Sequence, residues 1–87
     1  MYYVYVLHSK KDNKLYTGCT ANLRKRIEMH NSGKIFSTKL RLPLDLIYYE
    51  AYKIRKDAFQ REIYLKTGWG RNYIKRVLKN YLQSHAS

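Results

Sequence analysis

The chain has 87 residues, of which 18 are Lys or Arg and six are Asp or Glu, so its formal net charge is +12. A single domain of this length buries only about 60% of the surface of its unfolded chain, which excludes a large enclosed pocket and favours an open groove. The excess of positive charge indicates a polyanionic partner, first nucleic acid and second an anionic membrane surface, with a charge kept only for solubility as the alternative.

The first residues, "MYYVYVLHSK", contain an apolar run that is too short to cross a bilayer. No positively charged region precedes that run, so it does not have the pattern of a signal peptide. The one cysteine, Cys19, cannot form an internal disulfide, which fits a reducing compartment. We therefore expect one cytoplasmic domain over residues 1–87 with no membrane partner.

The first third of the chain predicts a hairpin. Residues 1–9 are rich in Tyr, Val and Leu, which favour a strand. Asp12 and Asn13 are turn formers, and residues 14–18 form the second strand. A helix follows, with Thr20 or Asn22 as its cap and Gly33 at its end.

The rest of the chain predicts a basic loop, one strand and two helices. The loop covers residues 33–43 and the strand residues 44–52. One helix runs from Arg55 to Gly68, and a final amphipathic helix covers residues 70–83. The order ββαβαα predicts an α+β domain, a small antiparallel sheet covered by helices.

Two polar residues interrupt the apolar pattern of the first predicted helix. Leu23 and Ile27 define the apolar stripe, and His30 falls on that stripe. Arg26 lies at the edge of the stripe, four residues before His30, so the two side chains are neighbours. The structural alternatives are a core histidine with one backbone hydrogen bond and an arginine whose stem covers apolar surface.

Glu62 is the unusual carboxylate of the chain. It lies near the middle of an apolar arc of the second helix, formed by Ile54, Ala58, Phe59, Ile63 and Leu65. An unpaired carboxylate there would lose its hydration at a cost of several kcal/mol, so we expect it to be protonated, paired or bound to a metal. A buried pair with Arg26, Arg55 or Lys66 is the structural alternative. Asp45 and Glu50 belong to the third strand and are expected to face solvent.

Tyrosines and basic side chains complete the candidate surface. Tyr5 shares one side of the first strand with Tyr3 and Leu7, and Tyr16 lies on the paired strand. Gly18 ends that strand and allows another backbone or a ligand to approach closely. The expected contacts to nucleic acid are Gly18, Arg24, Lys34, Lys39, Arg71, Lys75 and Arg76.

Two tripeptides now gain a meaning together. "YVY" at residues 3–5 and "YTG" at residues 16–18 resemble the two halves of the GIY-YIG nuclease signature. Arg26 falls where that family keeps its catalytic arginine, His30 follows in "RIEMHN", and Glu62 in "AFQREIYLK" matches its metal-binding glutamate. The resemblance covers nearly the whole chain and is closest to small single-domain bacterial proteins of the UPF0213 type, which are similar to the N-terminal domain of an excision nuclease.

The chain departs from the family pattern at three points. Tyr3 replaces the first glycine of the signature, and Thr17 replaces its second isoleucine. Both are backbone-level positions, so we expect the chemistry to survive. Many members also carry a late asparagine that shapes the site. Its spacing falls here on Ile74, with Asn72 as the nearest asparagine.

The resemblance implies a three-stranded antiparallel sheet with flanking helices and a metal-dependent endonuclease that hydrolyses DNA in repair or recombination. It implies that Glu62 holds one Mg²⁺ or Mn²⁺ ion and that Arg26 grips the scissile phosphate. Tyr5 is the expected general base, with a phenolate that nearby positive charge stabilises, and Tyr16 and His30 orient water or phosphate. We expect weak sequence preference or a need for a protein partner that supplies specificity, and the sequence does not indicate an oligomeric state. Two alternatives are a catalytically inactive basic nucleic-acid-binding module and a scaffold that docks through its last helix.

Overall fold

Strands and helices follow the order ββαβααα in the computed structural model, which describes residues 1–85. The strands are β1 (Tyr2–Ser9), β2 (Leu15–Thr20) and β3 (Leu44–Tyr52), and the helices are α1 (Leu23–Asn31), α2 (Arg55–Leu65), α3 (Gly68–Val77) and α4 (Lys79–Ser84). Antiparallel strands with flanking helices confirm the predicted α+β fold. None of the helices in the described part of the chain has the length and apolarity that a bilayer crossing requires.

The C-terminal helices divide the chain differently from the prediction. The helix predicted from Arg55 to Gly68 ends at Leu65, because the Thr67 side chain accepts a hydrogen bond from the Gly70 N–H and begins α3. The single helix predicted over residues 70–83 is wrong, because Leu78 leaves helical geometry and separates α3 from α4. α1 agrees with its prediction: Asn22 caps it by accepting from the Lys25 N–H.

The sheet has the strand order β2-β1-β3, so β1 is the central strand and β2 has a free edge. Both pairs are antiparallel, and Tyr5 lies opposite Gly18 on β2 and Tyr49 on β3. Successive residues of β1 point to opposite faces. Val4 and Val6 pack on one face, while Tyr5 and the residue two further on pack on the other.

Different helices cover the two faces of the sheet. On the first face, the valines of β1 form a core with Ala58 and Leu65 of α2 and Ile74 of α3. On the second face, Tyr5, Leu7 and Leu44 form a core that α1 covers with Leu23 and Ile27. A central strand with both faces buried explains why β1 is almost continuously apolar.

Only a narrow stripe of α2 is buried, which corrects the broad apolar arc that the sequence predicted. Ala58 and Leu65 are buried, but Ile54, Phe59 and Ile63 are each more than half exposed. α2 shares this face of the sheet with α3, so each helix covers only part of it. The same limit applies to α3, where the Trp69 side chain is 80% exposed.

Candidate active site

Three hydrogen-bonded side chains are buried beneath α1, and we call them the α1 network. The Tyr5 hydroxyl lies 2.8 Å from His30 Nε2, and His30 Nδ1 lies 2.7 Å from Thr38 Oγ1. All three residues have no exposed surface. β1 supplies the phenol, the last turn of α1 supplies the imidazole, and the loop before β3 supplies the hydroxyl. His30 is therefore a core histidine, but one held by two side chains instead of a backbone group.

Burial shifts the pKa of both ionisable members of the α1 network, His30 and Tyr5. It lowers the pKa of His30, and the nearby positive charge of Arg26 lowers it further, so the imidazole is neutral at pH 7. Burial also raises the pKa of Tyr5, and the proximity of Tyr16 adds to the rise, while Arg26 opposes it. At Tyr5 the loss of hydration outweighs the opposing effect of Arg26, so Arg26 alone does not bring the pKa of this phenol down.

Tyr16 and Gly18 of β2 border the α1 network. The Tyr16 ring is half-buried and lies edge-on to His30, with ring centroids 5.2 Å apart. A side-chain carbon at Gly18 would collide with the Tyr5 ring and hydroxyl. The close approach expected at Gly18 is thus made by a protein side chain. Because Gly18 is itself buried, the structure does not offer it as a contact for nucleic acid.

Arg26 and Glu62 meet at a cavity of about 440 Å³ beside the end of β2. Arg26 comes from α1 and Glu62 from α2, so residues from helices on opposite faces of the sheet line one cavity. Arg55 also lines it. Arg26 and Glu62 are both near enough to Tyr5 for their charges to act on its pKa. The structure therefore brings together all five predicted catalytic residues. Tyr5 and His30 belong to the α1 network and Tyr16 packs against it, while Arg26 and Glu62 line the cavity.

Glu62 has a cationic neighbour that the sequence offered as an alternative. Its Oε2 lies 3.1 Å from Lys66 Nζ, four residues further along α2. The Glu62 side chain is only 15% exposed, whereas that of Lys66 is 54% exposed. An ion pair with such an exposed partner contributes about 0.5 kcal/mol, so Lys66 is a weak neutraliser of Glu62.

Among the described residues, Glu62 is the one carboxylate that lines this cavity and could bind a metal ion. No cluster of three or more His, Cys, Asp or Glu side chains with metal-binding geometry occurs among residues 1–85. Magnesium usually keeps several waters and binds through one or two carboxylates together with substrate phosphates. Glu62, partly exposed at an open cavity, fits such an ion bound jointly with a substrate, whereas a cage made only of protein ligands does not fit.

The predicted nucleic-acid contacts are spread over three surfaces. Arg24 is exposed on α1, and Lys34 and Lys39 are exposed on the following loop, where Lys39 lies over the Phe36 ring. Arg71 and Lys75 line a second cavity with β2, and Arg76 is exposed near the Tyr73 ring. For the late asparagine, Ile74 belongs to the core and Asn72 is exposed on α3.

Sequence reasoning missed two polar residues. Thr38 lies in a loop with no periodicity, and its spacing to His30 gave no signal. Glu50, expected to face solvent, accepts hydrogen bonds from Tyr48 and Tyr52 and pairs with Arg61 at 2.8 Å. A carboxylate flanked by tyrosines at i−2 and i+2 was the available signal, because all three share one face of a strand.

Fold and site together define a small α+β domain that brings an arginine, a carboxylate and a histidine–tyrosine pair together around strands β1 and β2 of a three-stranded sheet. A family model, described as the GIY-YIG catalytic domain, matches residues 1–80. The chain belongs to the GIY-YIG family, a superfamily of nucleases that act on nucleic acid. This confirms the resemblance found in the sequence.

Relatives from several bacteria are similar over most of the chain. The UPF0213 protein SH2523 of Staphylococcus haemolyticus is 45% identical over 67 residues, which are 76% of this chain and 80% of that protein. The UPF0213 protein CPE1444 of Clostridium perfringens is 46% identical over 67 residues, 76% of this chain and 71% of that protein. A UPF0213 protein of Pediococcus pentosaceus is 41% identical over 80 residues, 91% of this chain and 83% of that protein. None of these names states an activity, and no solved structure matches.

Proposed function

We propose that this protein is a divalent-metal-dependent endonuclease that hydrolyses phosphodiester bonds in DNA. The observation that carries the proposal is the convergence of Arg26 and Glu62 on one open cavity, within electrostatic reach of the buried Tyr5, whose hydroxyl contacts His30. If Arg26 and Glu62 served only stability, they would need neither a neutral histidine nor a phenol beside them. Membership of a nuclease superfamily supports the same conclusion.

Arg26, Glu62 and Tyr16 are the residues that meet the substrate in this proposal. Arg26 donates to the non-bridging oxygens of the scissile phosphate and offsets the negative charge that develops as water attacks. Glu62 holds one Mg²⁺ or Mn²⁺ ion, which when bound would polarise the phosphate and stabilise the leaving oxygen. Tyr16, half-buried next to His30, orients the attacking water.

Tyr5 and His30 receive the proton of the attacking water. Because its pKa is raised, Tyr5 works as a neutral phenol: it gives its proton to His30 Nε2 as it takes one from the water. The transfer leaves Tyr5 neutral and His30 protonated, and it requires the tautomer in which His30 Nδ1–H donates to Thr38. Since the Tyr5 hydroxyl is closed to solvent, substrate binding must open this contact to one water.

The biological setting is part of the proposal. Similarity of the family to excision nucleases supports a role in DNA repair or recombination. The unpaired Cys19 supports a cytoplasmic protein. A protein partner would supply specificity beyond what the basic surface provides.

Cleavage of labelled branched, single-stranded and duplex DNA with Mg²⁺ or Mn²⁺ tests the proposal. Glu62→Gln and Arg26→Ala are each expected to lower the cleavage rate about 100-fold or more with unchanged circular dichroism. Glu28→Gln, which alters an exposed carboxylate on α1, is the matched control and should cleave normally. Cleavage that survives in both site variants would refute the site. Salt-sensitive binding without cleavage in any metal would instead establish the inactive binding module.

The same assay separates Lys66 from the catalytic groups. Lys66→Ala removes the cation that competes for Glu62, so we expect half-maximal cleavage at an Mg²⁺ concentration about twofold lower than for the unaltered protein. A loss of cleavage in this variant would show that Lys66 acts on the substrate itself.

A further inference from the structure

The segment that connects α1 to β3, residues 32–43, presents two large apolar side chains to solvent. We call this segment the α1–β3 loop. Phe36 is 84% exposed and Leu40 is 75% exposed. Turn positions favour glycine, asparagine, aspartate and serine, so large apolar side chains are unusual there. Exposed apolar groups on one loop, rimmed by polar residues, are typical of an interaction surface.

Two consecutive turns form the tip of the α1–β3 loop, and both depend on Thr38. The Thr38 N–H donates to the Ile35 carbonyl at 3.1 Å, which closes the first turn around Phe36. The Thr38 carbonyl accepts from the Arg41 N–H at 2.9 Å, which closes the second turn around Leu40. Because the two turns share Thr38, a displacement of either turn moves this residue.

The Thr38 side chain connects these turns to the α1 network. It has no exposed surface, and its Oγ1 lies 2.7 Å from His30 Nδ1. The other ring nitrogen of His30 lies 2.8 Å from the Tyr5 hydroxyl, the contact that the proposed reaction must open to one water. One buried hydroxyl thus joins the exposed turns to the proposed proton acceptor.

The charge of the α1–β3 loop identifies the class of its ligand. Its charged residues are Lys34, Lys39 and Arg41, and its sequence contains no Asp or Glu. Lys39 Nζ lies 4.8 Å from the centre of the Phe36 ring, so a cation accompanies the exposed aromatic side chain. Proteins that kink nucleic acid place apolar wedges between base steps beside basic contacts to the backbone. A polyanion with accessible aromatic surface, which is nucleic acid with an opened base stack, matches both features of the loop.

We propose that the α1–β3 loop is a wedge that inserts Phe36 and Leu40 between unstacked bases and transmits the insertion to His30. The inference rests on the proposed function and adds the form of the substrate: a bulge, mismatch or branch point admits the wedge, whereas a continuous duplex does not. Unstacking a base step costs a few kcal/mol, and least where pairing is already broken. Because Thr38 and His30 are hydrogen-bonded, insertion moves them together. The movement separates His30 Nε2 from the Tyr5 hydroxyl and admits the water.

Fluorescence anisotropy in EDTA, which prevents cleavage, tests the insertion. The probes are a labelled DNA duplex and the same duplex with a central bulge of unpaired nucleotides. The loop variant is Phe36→Ala. The control is Trp69→Ala, which removes a similarly exposed aromatic side chain from α3. Neither substitution changes the charge of the protein.

We expect Phe36→Ala to bind the bulged duplex about tenfold more weakly than the control does, since it loses one stacking contact. Binding of the regular duplex should change less than about twofold, because its stack does not admit the wedge. The slope of log K against log salt should stay unchanged, because no phosphate contact is lost. An equal loss of affinity for both probes would overturn the inference, since Phe36 would then contact the backbone.

Nitrogen-15 NMR of the His30 ring tests the transmission, with the signal assigned by its absence in His30→Gln. The bulged duplex should shift the Nε2 resonance of the unaltered protein, because the Tyr5 hydroxyl leaves this nitrogen. The regular duplex should not shift it. At saturating bulged duplex, Phe36→Ala should lose most of the shift and Trp69→Ala should keep it.

Two results would overturn the inference while leaving the nuclease proposal intact: Phe36→Ala that binds the bulged duplex like the control, or a His30 resonance that the bulged duplex does not move, in a protein that still cleaves DNA. Binding to vesicles of phosphatidylserine and phosphatidylcholine that depends on Phe36, with DNA binding that does not, would assign the loop to a membrane surface and overturn the inference as well. A protein that binds neither DNA probe would overturn both proposals.

Discussion

Each face of the sheet buries a polar network, and the two networks differ in how their charge is balanced. Beneath α1, Tyr5, His30 and Thr38 are all neutral at pH 7. On the opposite face, Glu50 is paired with the Arg61 guanidinium through two contacts, at 2.8 and 3.0 Å. One network can gain a proton, whereas the other already holds its charges in a closed pair.

The paired network is best understood as structural. Burial opposes ionisation of Glu50, but hydrogen bonds from Arg61 and two tyrosines hold its pKa below the usual range. Burial and the hydrogen bond to Glu50 raise the pKa of Tyr52 to about 12, so that phenol stays protonated. The comparison teaches that buried polar groups indicate chemistry only where a protonation state is free to change beside an open cavity.

Within the two networks, the largest effect is expected from Tyr5→Phe. This change removes the hydroxyl that bonds to His30, so the cleavage rate should fall about 100-fold, while stability falls by only about 1–2 kcal/mol. Tyr48→Phe removes a comparable hydroxyl from the other face and is the control. The assignment of the two faces would be wrong if Tyr48→Phe cost as much cleavage as Tyr5→Phe.

Glu50→Gln should lower stability and leave cleavage nearly normal, the opposite of Tyr5→Phe. It leaves the Arg61 guanidinium without its carboxylate, so the free energy of unfolding should drop by about 2–3 kcal/mol. Urea denaturation followed by circular dichroism measures the drop, and Glu28→Gln is the exposed control. Cleavage per folded molecule should remain within twofold of normal. A large loss of cleavage with normal stability would assign the Glu50 network to the reaction.

Thr38→Val tests whether the neutral network depends on a fixed tautomer. Valine keeps the shape of the side chain but cannot accept from His30 Nδ1, so we expect about tenfold slower cleavage. Thr38→Ser, which keeps the hydroxyl, should restore most of the rate and the normal pH profile. Failure of serine to rescue would mean that Thr38 contributes only by packing.

The smallest effect is the dependence of stability on pH. His30 has a lowered pKa in the folded protein, so below about pH 6.5 the unfolded chain binds a proton that the folded one does not. Stability should therefore decrease as pH falls, by at most about 1.4 kcal/mol per unit. Urea titrations from pH 7.5 to 5 should show a shallower dependence for His30→Gln than for His85→Gln, which alters an exposed histidine. Equal slopes would contradict a neutral buried His30.

The fold was largely predictable because its elements carry strong local signals. Asn22 and Gly33 bracket α1, and Gly33 has the positive φ of +77° that glycine accommodates. The break at Leu78 was not predictable, because neither glycine nor proline marks it. The width of the buried stripe on α2 also escaped prediction, since it depends on how much of the sheet α3 covers.

The candidate site was predictable only where residues matched a family pattern. Arg26, His30 and Glu62 were placed together by that resemblance, and helical spacing alone linked only the first two. Thr38 stayed hidden, because loop residues have no periodicity from which a contact can be read. Glu50 was misjudged, because alternation along β3 identifies two faces but does not say that both are covered.

Gly18 gives the tripeptide "YTG" a concrete physical meaning. The Tyr5 ring rests against its backbone at a place where even a methyl group would overlap the phenol. An alanine at this position would displace the Tyr5 ring and move its hydroxyl away from the His30 imidazole. A substitution that looks like a minor change in a strand would thus break the contact on which the proposed proton transfer depends, so the packing of Tyr5 requires glycine at the end of the tripeptide.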